Sequence, residues 1–536
     1  MKNASSKRPG WLPWILAVAA GAAAATWIDD APWRVLASTA AVAVLAVRRL
    51  PGRFAAPAAR TRLLLLLAVA STVQATAPSL WRFTTSPWVR VWNVYHYYLG
   101  SKYFPELGYH DLYAATLVAD REENGYWSRI RKVRDLRTYE VISRQQALDE
   151  YRPDDHFSDA RWRDFRRDVR ALQTQRSPRR WQGIFRDRGY NPPPVWTAVG
   201  RALTWLPADK LWSLKLLCAL DLGLLAATFW LIARTFGVRA MACVLLLLTL
   251  SPVNEGRLVG GFLQYDWFCA IAAGFCFLRR RRAYPAAALF AYAVGTRVFP
   301  IFLLLSATVP LAYRWVRSGF VSRRDLRLLI ALTGFGILAF ATGTAGGGLD
   351  SWRDFAANIG HHNDAHRFGR QRIGLAHAFT RDVGGLDFRE QSTGERRELF
   401  ARQKNLLTVS GAILLAAWLA VVVRRSVPDA LLLGLVPFFV LAVSSRYYWS
   451  CLALLPLLAR PGPGGQLRVR RLTAAQASMF AVLGLVAWRG FERFSLYSVF
   501  DLVLAALLTG VLVTYLLHDL RVRRRHRPHA KASKRA

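Results

Sequence analysis

The residues best suited to chemistry crowd into one stretch, Asn93-Val94-Tyr95-His96-Tyr97-Tyr98-Leu99-Gly100-Ser101-Lys102-Tyr103-Phe104-Pro105-Glu106-Leu107-Gly108-Tyr109. Its rings, Tyr97 and Tyr109 among them, can stack on the faces of sugars, while His96 and Glu106 can carry protons. Asp120 follows as a further acid. Later come Asp266 in Gln264-Tyr265-Asp266-Trp267, Arg297 in Thr296-Arg297-Val298-Phe299-Pro300, and Arg446 ahead of Tyr447-Tyr448-Trp449. Between them lies His361-His362-Asn363-Asp364, then Arg370 and Arg372. Guanidinium groups match phosphate oxygens bidentately, so Arg297, Arg372 and Arg446 are candidates for holding a phosphate. Taken singly, each of these residues is as well explained by anchoring at a membrane surface or by a structural ion pair. What points to a site is the side on which they gather.

Membrane-spanning helices must do the positioning. The chain is 53% hydrophobic, with 20 Trp and 29 Phe. Its apolar residues run in long blocks such as 63–70, 211–233 and 502–517. Runs of about 18 or more match a bilayer core of about 30 Å and exceed what a buried soluble helix needs. Spans are expected at 11–28, 33–48, 62–82, 211–235, 238–254, 259–278, 283–296, 299–316, 325–345, 404–424, 428–444, 446–459, 473–489 and 496–518. This is an all-α polytopic membrane protein of about fourteen transmembrane helices, or twelve if the two shortest fail. The first run could pass for a signal peptide, but a second at 35–47 follows at once and favours a retained hairpin.

The net charge of +39 would suggest nucleic acid in a soluble protein. Here Arg48-Arg49, 279–282, Arg323-Arg324 and 521–525 all flank spans. That is the pattern of cytoplasmic loops drawn to anionic membrane lipids, so no nucleic-acid partner is expected. With both termini cytoplasmic, every short Arg-rich loop falls on one side of a cell inner (plasma) membrane. Loops 83–205 and 346–403 then face the non-cytoplasmic side, together with the candidate residues. Stretch 129–180 has the spacing of amphipathic helices lying on the outer membrane surface, although an ordinary solvated helical loop fits equally. The division expected is an N-terminal hairpin and loop (1–61), a core (62–460), a C-terminal hairpin (461–520) and a basic, disordered tail (521–536). Cys218, Cys243, Cys269, Cys276 and Cys451 all sit in apolar spans and make neither a disulfide framework nor a CxxC metal pattern. They read as small buried hydrophobes.

Walker A loops, HExxH, GxSxG and strand-then-GxGxxG patterns are absent. Gly189-Tyr190-Asn191-Pro192-Pro193-Pro194-Val195-Trp196 brings the first external loop back to the membrane, its prolines fixing an extended approach. Together with the aromatic stretch, this segment resembles the GT-C superfamily of integral-membrane glycosyltransferases. Those enzymes open a large external loop with an Asp-Glu-x-x-Tyr-x-x-x-Ala-Lys-like motif and close it with Pro-Pro before the next span. Tyr97, Ser101 and Lys102 fit the opening, and Pro193-Pro194 the close. The resemblance covers about residues 62–460 in architecture. On this register the family's acidic pair falls on Asn93 and Val94, neither of which can act as a base.

The resemblance implies transfer of a sugar, hexose or pentose, from a polyprenyl-phosphate donor to a glycan, lipid or protein acceptor at the non-cytoplasmic face. Arg297, Arg372 and Arg446 would hold the donor phosphate. His96, Glu106 or Asp120 would replace the missing acid at Asn93. Tyr97, Lys102, Tyr109, Asp266, His361, His362 and Tyr447 would line the substrate. The sequence indicates no definite cofactor, and Asp266 or the His361-His362-Asp364 group leaves room for a divalent metal. A transporter or flippase for a lipid-linked or anionic substrate, or a GT-C relative without catalysis, remains the alternative, with Asp221 inside the fourth span as a coupling carboxylate. The long polar loop favours the enzyme.

Overall fold

The chain folds as an α-helical bundle capped by a small helical domain in this computed structural model, which describes residues 11–46, 56–254, 258–383, 385–458, 463–490 and 494–532. Arg48-Arg49 and the outermost residues of the basic tail lie outside the described residues. A helix overlies each of the expected spans. Among the described residues, six helices are long and apolar enough to cross a membrane: Pro57–Thr85, Leu211–Phe236, Arg323–Gly347, Lys404–Val422, Arg468–Arg489 and Leu496–Arg521. The last belongs to a helix that continues to Ala532, so the tail expected to be disordered has a helical backbone. Arginine is a good helix former, and Pro528 falls only in the last turns of the run.

The shorter helices depart from the expected boundaries, and the departures create the site. Val238–Leu250 and Asp266–Arg279 have 13 and 14 residues. At 1.5 Å per residue each covers only about 20 Å. The span expected over 259–278 therefore begins as helix only at Asp266. The described part of 251–265 is non-helical and almost wholly buried in protein. Backbone of that kind survives at membrane depth only where side chains satisfy it. Asp221, on the span Leu211–Phe236, accepts the Gln264 N–H at 2.7 Å and the Tyr265 N–H at 3.0 Å. Asn93 accepts the Phe262 N–H at 2.6 Å, and the Arg90 N–H reaches the Gly260 carbonyl at 2.7 Å. Gly260, at φ +83, makes the turn. Any Cβ there would strike the Trp88 ring at 2.7 Å.

The expected span 446–459 is likewise unusual, because Arg446–Leu458 is a 13-residue 3₁₀ helix. Its steeper rise of about 2.0 Å per residue lets a short segment reach about 26 Å.

Residues between 86 and 210 form the capping domain. The helix Asp159–Gln173 was a candidate for lying on the membrane. Its apolar face, Trp162, Phe165, Val169 and Leu172, is instead buried in the domain against the helix Leu112–Glu123. The core continues through Trp127, Trp181 and Phe185, whose rings meet edge to face. Burying one such ring is worth about 2–3 kcal/mol, so the domain satisfies its own amphipathic faces without a bilayer. An antiparallel hairpin, Lys132–Arg134 with Val141–Ser143, projects from it. A second pairing, Arg372–Ile373 with Ser444–Ser445, ties the other long loop to the start of the 3₁₀ helix.

Candidate active site

Four elements stop at the same end of the bundle, and their ends converge under the capping domain. Arg297 caps the helix Ala283–Thr296, and its guanidinium is buried. One nitrogen donates to the Thr296 carbonyl at 2.7 Å. The group lies 5.5 Å from the centre of the Tyr97 ring. Its charged and phenolic neighbours are Tyr97, Asp266, Tyr448 and Tyr447. Asp266, the first residue of its helix, accepts the Tyr292 hydroxyl at 2.8 Å and is buried beside Arg297. Tyr447 and Tyr448 pack 4.4 Å apart, and Tyr448 rests against Phe299 at 4.6 Å. Arg297 thus sits in a tyrosine cage with one carboxylate behind it.

Arg372 enters from the second long loop. The short strand pairing sets it opposite Ser445, and its guanidinium donates to the Ser445 hydroxyl at 2.9 Å. Its electrostatic neighbours are again Tyr447 and Tyr448, with Asp187 added. The two buried guanidiniums therefore share one pair of phenols. Arg446 follows in the chain and engages the Tyr497 hydroxyl and ring.

The capping domain supplies the lid. A single π-helical turn, Tyr95–Leu99, carries Tyr97 down to Arg297 while Tyr95, His96, Tyr98 and Leu99 are buried within the domain. Such wide turns fan out successive side chains. Asp187 lies half-buried and accepts the Trp92 indole N–H at 2.5 Å. It is within electrostatic reach of His96, Tyr97, Arg188 and Arg372. Burial beside Arg134 and Arg372 pulls the Arg188 guanidinium down to about 10. Tyr139, at φ +59 in the turn of the hairpin, stacks on His361 at 4.8 Å. Its hydroxyl lies 3.3–3.4 Å from Asn191, Asn358 and His362. His362 Nε2 lies 3.4 Å from Arg372. Burial, with Arg372 and Arg188 alongside, holds His362 down to about 3, so its imidazole is neutral.

Of the residues singled out in the sequence, Tyr97, Asp266, Arg297, His361, His362, Arg372 and Tyr447 come together here, with Arg446 beside them. The others are engaged elsewhere. Both His96 nitrogens are taken, Nδ1 with the Trp92 carbonyl and Nε2 with the Tyr113 hydroxyl, each at 2.7 Å. Burial lowers its pKa, against the pull of Asp187. Glu106 is held by Arg161 at 2.6 and 3.2 Å. Asp120, whose pKa burial raises, accepts the Trp127 N–H and the Gln173 amide, each at 3.0 Å, in the domain core. Asn93 clamps Phe262, as described. Lys102 pairs with Asp168 at 2.7 Å, and the Tyr109 hydroxyl donates to the Pro192 carbonyl at 3.0 Å. Among the described residues no three His, Cys, Asp or Glu side chains gather as metal ligands.

Sequence reasoning passed over Asp187, Arg188 and Tyr139, and gave Tyr448 no role beyond its place beside Tyr447. The signal for the first two was their place in Arg186-Asp187-Arg188, directly before the Gly189–Pro194 return segment.

Such a set can bind a phosphate through Arg297 and Arg372, stack a sugar on tyrosines and present a carboxylate from above. No curated protein and no solved structure matches the chain. Residues 190–445, from the return segment to the serine opposite Arg372, match the model of glycosyltransferase family 87. Over that stretch, just under half of its length, the chain is similar to a glycosyltransferase family of the integral-membrane GT-C type.

Proposed function

We propose that the chain transfers a hexose or pentose from a polyprenyl-phosphate donor to a glycan, lipid or protein acceptor at the non-cytoplasmic face of the inner membrane. The observation that carries this reading is the pair of buried guanidiniums, Arg297 and Arg372, sharing the Tyr447–Tyr448 pair at a common end of the bundle. Buried cations are expensive at membrane depth and are kept where they meet an anion. A lipid-linked phosphate reaches that depth from the bilayer, whereas a soluble nucleotide sugar does not.

The mechanism follows from charge. The donor phosphodiester carries one negative charge. As the anomeric C–O bond breaks, the leaving lipid phosphate becomes a monoester with about −1.5 to −2 at neutral pH. Arg297 and Arg372 therefore bind the departing group more strongly than the ground state, and that difference is what lowers a barrier. Asp266 keeps Arg297 aimed. Asp187 is the base: its free oxygen takes the acceptor hydroxyl's proton as that oxygen forms the new bond to the anomeric carbon. Attack opposite the phosphate inverts the centre. His362, neutral at working pH, receives hydroxyls and adds no charge to compete with the phosphate.

Binding of sugar-free polyprenyl phosphate to the protein in nanodiscs tests the core of this reading. Arg297→Gln and Arg372→Gln are each expected to weaken it at least about tenfold, the size of one charge-assisted bond. Unchanged binding in both variants removes the phosphate site.

A further inference from the structure

Lys102 and Glu106 have the chemistry of a site, yet they are paired with Asp168 and Arg161, not with the residues of the transfer centre. They line a second, open cleft of about 430 Å³ with Arg161, Arg167, Arg201 and Trp205. Arg161 and Arg167 belong to the helix Asp159–Gln173, while Arg201 and Trp205 belong to the segment leading into the span Leu211–Phe236.

The cations can be followed one by one. Lys102 is neutralised by Asp168 at 2.7 Å. Arg161 holds Glu106. Arg167 meets Asp164 at 3.0 Å and Asp209 at 4.0 Å. Arg201 is different: its guanidinium donates to the Gly346 carbonyl, and among the described residues it has no carboxylate partner. Arg201 is thus the one cation of the four without a carboxylate partner among the described residues, since Asp168, Glu106, Asp164 and Asp209 answer the other three, and Lys102 and Arg161 N–H groups lie beside it.

Its level in the molecule identifies the complementary anion. Gly346 ends the span Arg323–Gly347, and Trp205 precedes the span Leu211–Phe236, so the mouth lies where two membrane helices emerge. Trp205 and Trp212 are 75% and 59% exposed there. Exposed indoles at span ends sit at headgroup depth. Phe340, Leu338 and Ile337 are exposed along the span Arg323–Gly347.

We propose that this cleft binds the headgroup of an anionic phospholipid, the phosphodiester on Arg201, with its chains running down the Phe340 face. Arg201, the one cation there with no carboxylate of its own among the described residues, offers its guanidinium to a single phosphodiester. The site is separate from the Arg-rich loops at the other end of the bundle and does not depend on the transferase reading.

The test uses the full chain in vesicles of phosphatidylcholine doped with a phosphatidylglycerol bearing a photoactivatable group near its headgroup, with adducts mapped by mass spectrometry. Adducts are expected on peptides holding 161–167 and 201–207. Arg201→Gln, which keeps a donor for the Gly346 carbonyl, should abolish them while leaving adducts at 323–327 intact. Trp205→Ala, which removes an exposed ring, should weaken them even if the first variant folds poorly. Wild-type protein without adducts in these peptides, or adducts indifferent to both substitutions, overturns the proposal. So does displacement by inorganic phosphate, which would make the cleft a site for free anions.

Discussion

At the scale of single residues, transfer turns on Asp187 and the two buried guanidiniums, Arg297 and Arg372. Asp187→Asn keeps the acceptor for the Trp92 indole and removes only the basicity. It is expected to lower kcat by about 10²–10⁴ with donor binding retained, the usual size of a general-base contribution. Equal activity in both proteins would move the base elsewhere. His362 gives a prediction in pH. Its folded pKa of about 3 lies below an ordinary histidine value of about 6.5. Between those limits the unfolded chain takes up a proton that the folded chain refuses, so stability falls as pH drops from about 6.5 towards 3. Thermal melts of His362→Gln should show a shallower acid slope than wild type, and an identical slope would contradict the neutral imidazole. Residue types were legible in the sequence, but their partners were not. Glu106 and Lys102 have the right chemistry, yet Arg161 and Asp168 more than fifty positions later capture them. Asp187 had the opposite fate: flanked by arginines, it looks like a solvated charge until the return segment folds it over Arg372.

At the scale of elements, the site exists because several spans are short. The buried stretch before Asp266 is held by side chains from other segments, with Asp221 accepting two backbone N–H groups. Asp221→Ala should cost about 1–3 kcal/mol for each donor it orphans. Asp221→Asn, which retains acceptor oxygen, should cost less. Melting in detergent measures both, and an unchanged midpoint in the alanine variant would mean that the stretch is held otherwise. Both oxygens of Asp221, the carboxylate named for the coupling alternative, accept backbone N–H groups. The apolar period of 259–278 gave no warning that its first turn would be non-helical, because a buried loop and a buried helix are equally apolar. The amphipathic period of 159–173 was readable, but what covers its apolar face was not: the partner helix Leu112–Glu123 is itself only mildly patterned.

At the scale of the whole molecule, an all-helical polytopic chain with a large polar cap was legible from block length and charge placement. The arginines beside spans and the long loop after the third span carried most of that information. Sidedness itself is open to a direct check. Single cysteines introduced at Ser128 in the cap and at Ser318 at the opposite end should differ in intact cells. The native cysteines are buried and should stay silent. A membrane-impermeant maleimide is expected to label position 128 and spare 318. The reverse pattern would invert the topology and take the transfer centre to the cytoplasmic side.

The central claim is that this centre breaks the bond between a sugar and a lipid phosphate. It is tested most directly by incubating proteoliposomes with polyprenyl-phosphate sugars radiolabelled in the sugar and separating lipid-linked from released or transferred label. The account predicts conversion of at least one hexose or pentose donor to polyprenyl phosphate, lost in Asp187→Asn and in Arg297→Gln. A donor that is bound or carried across the bilayer with its sugar–phosphate bond intact would contradict it.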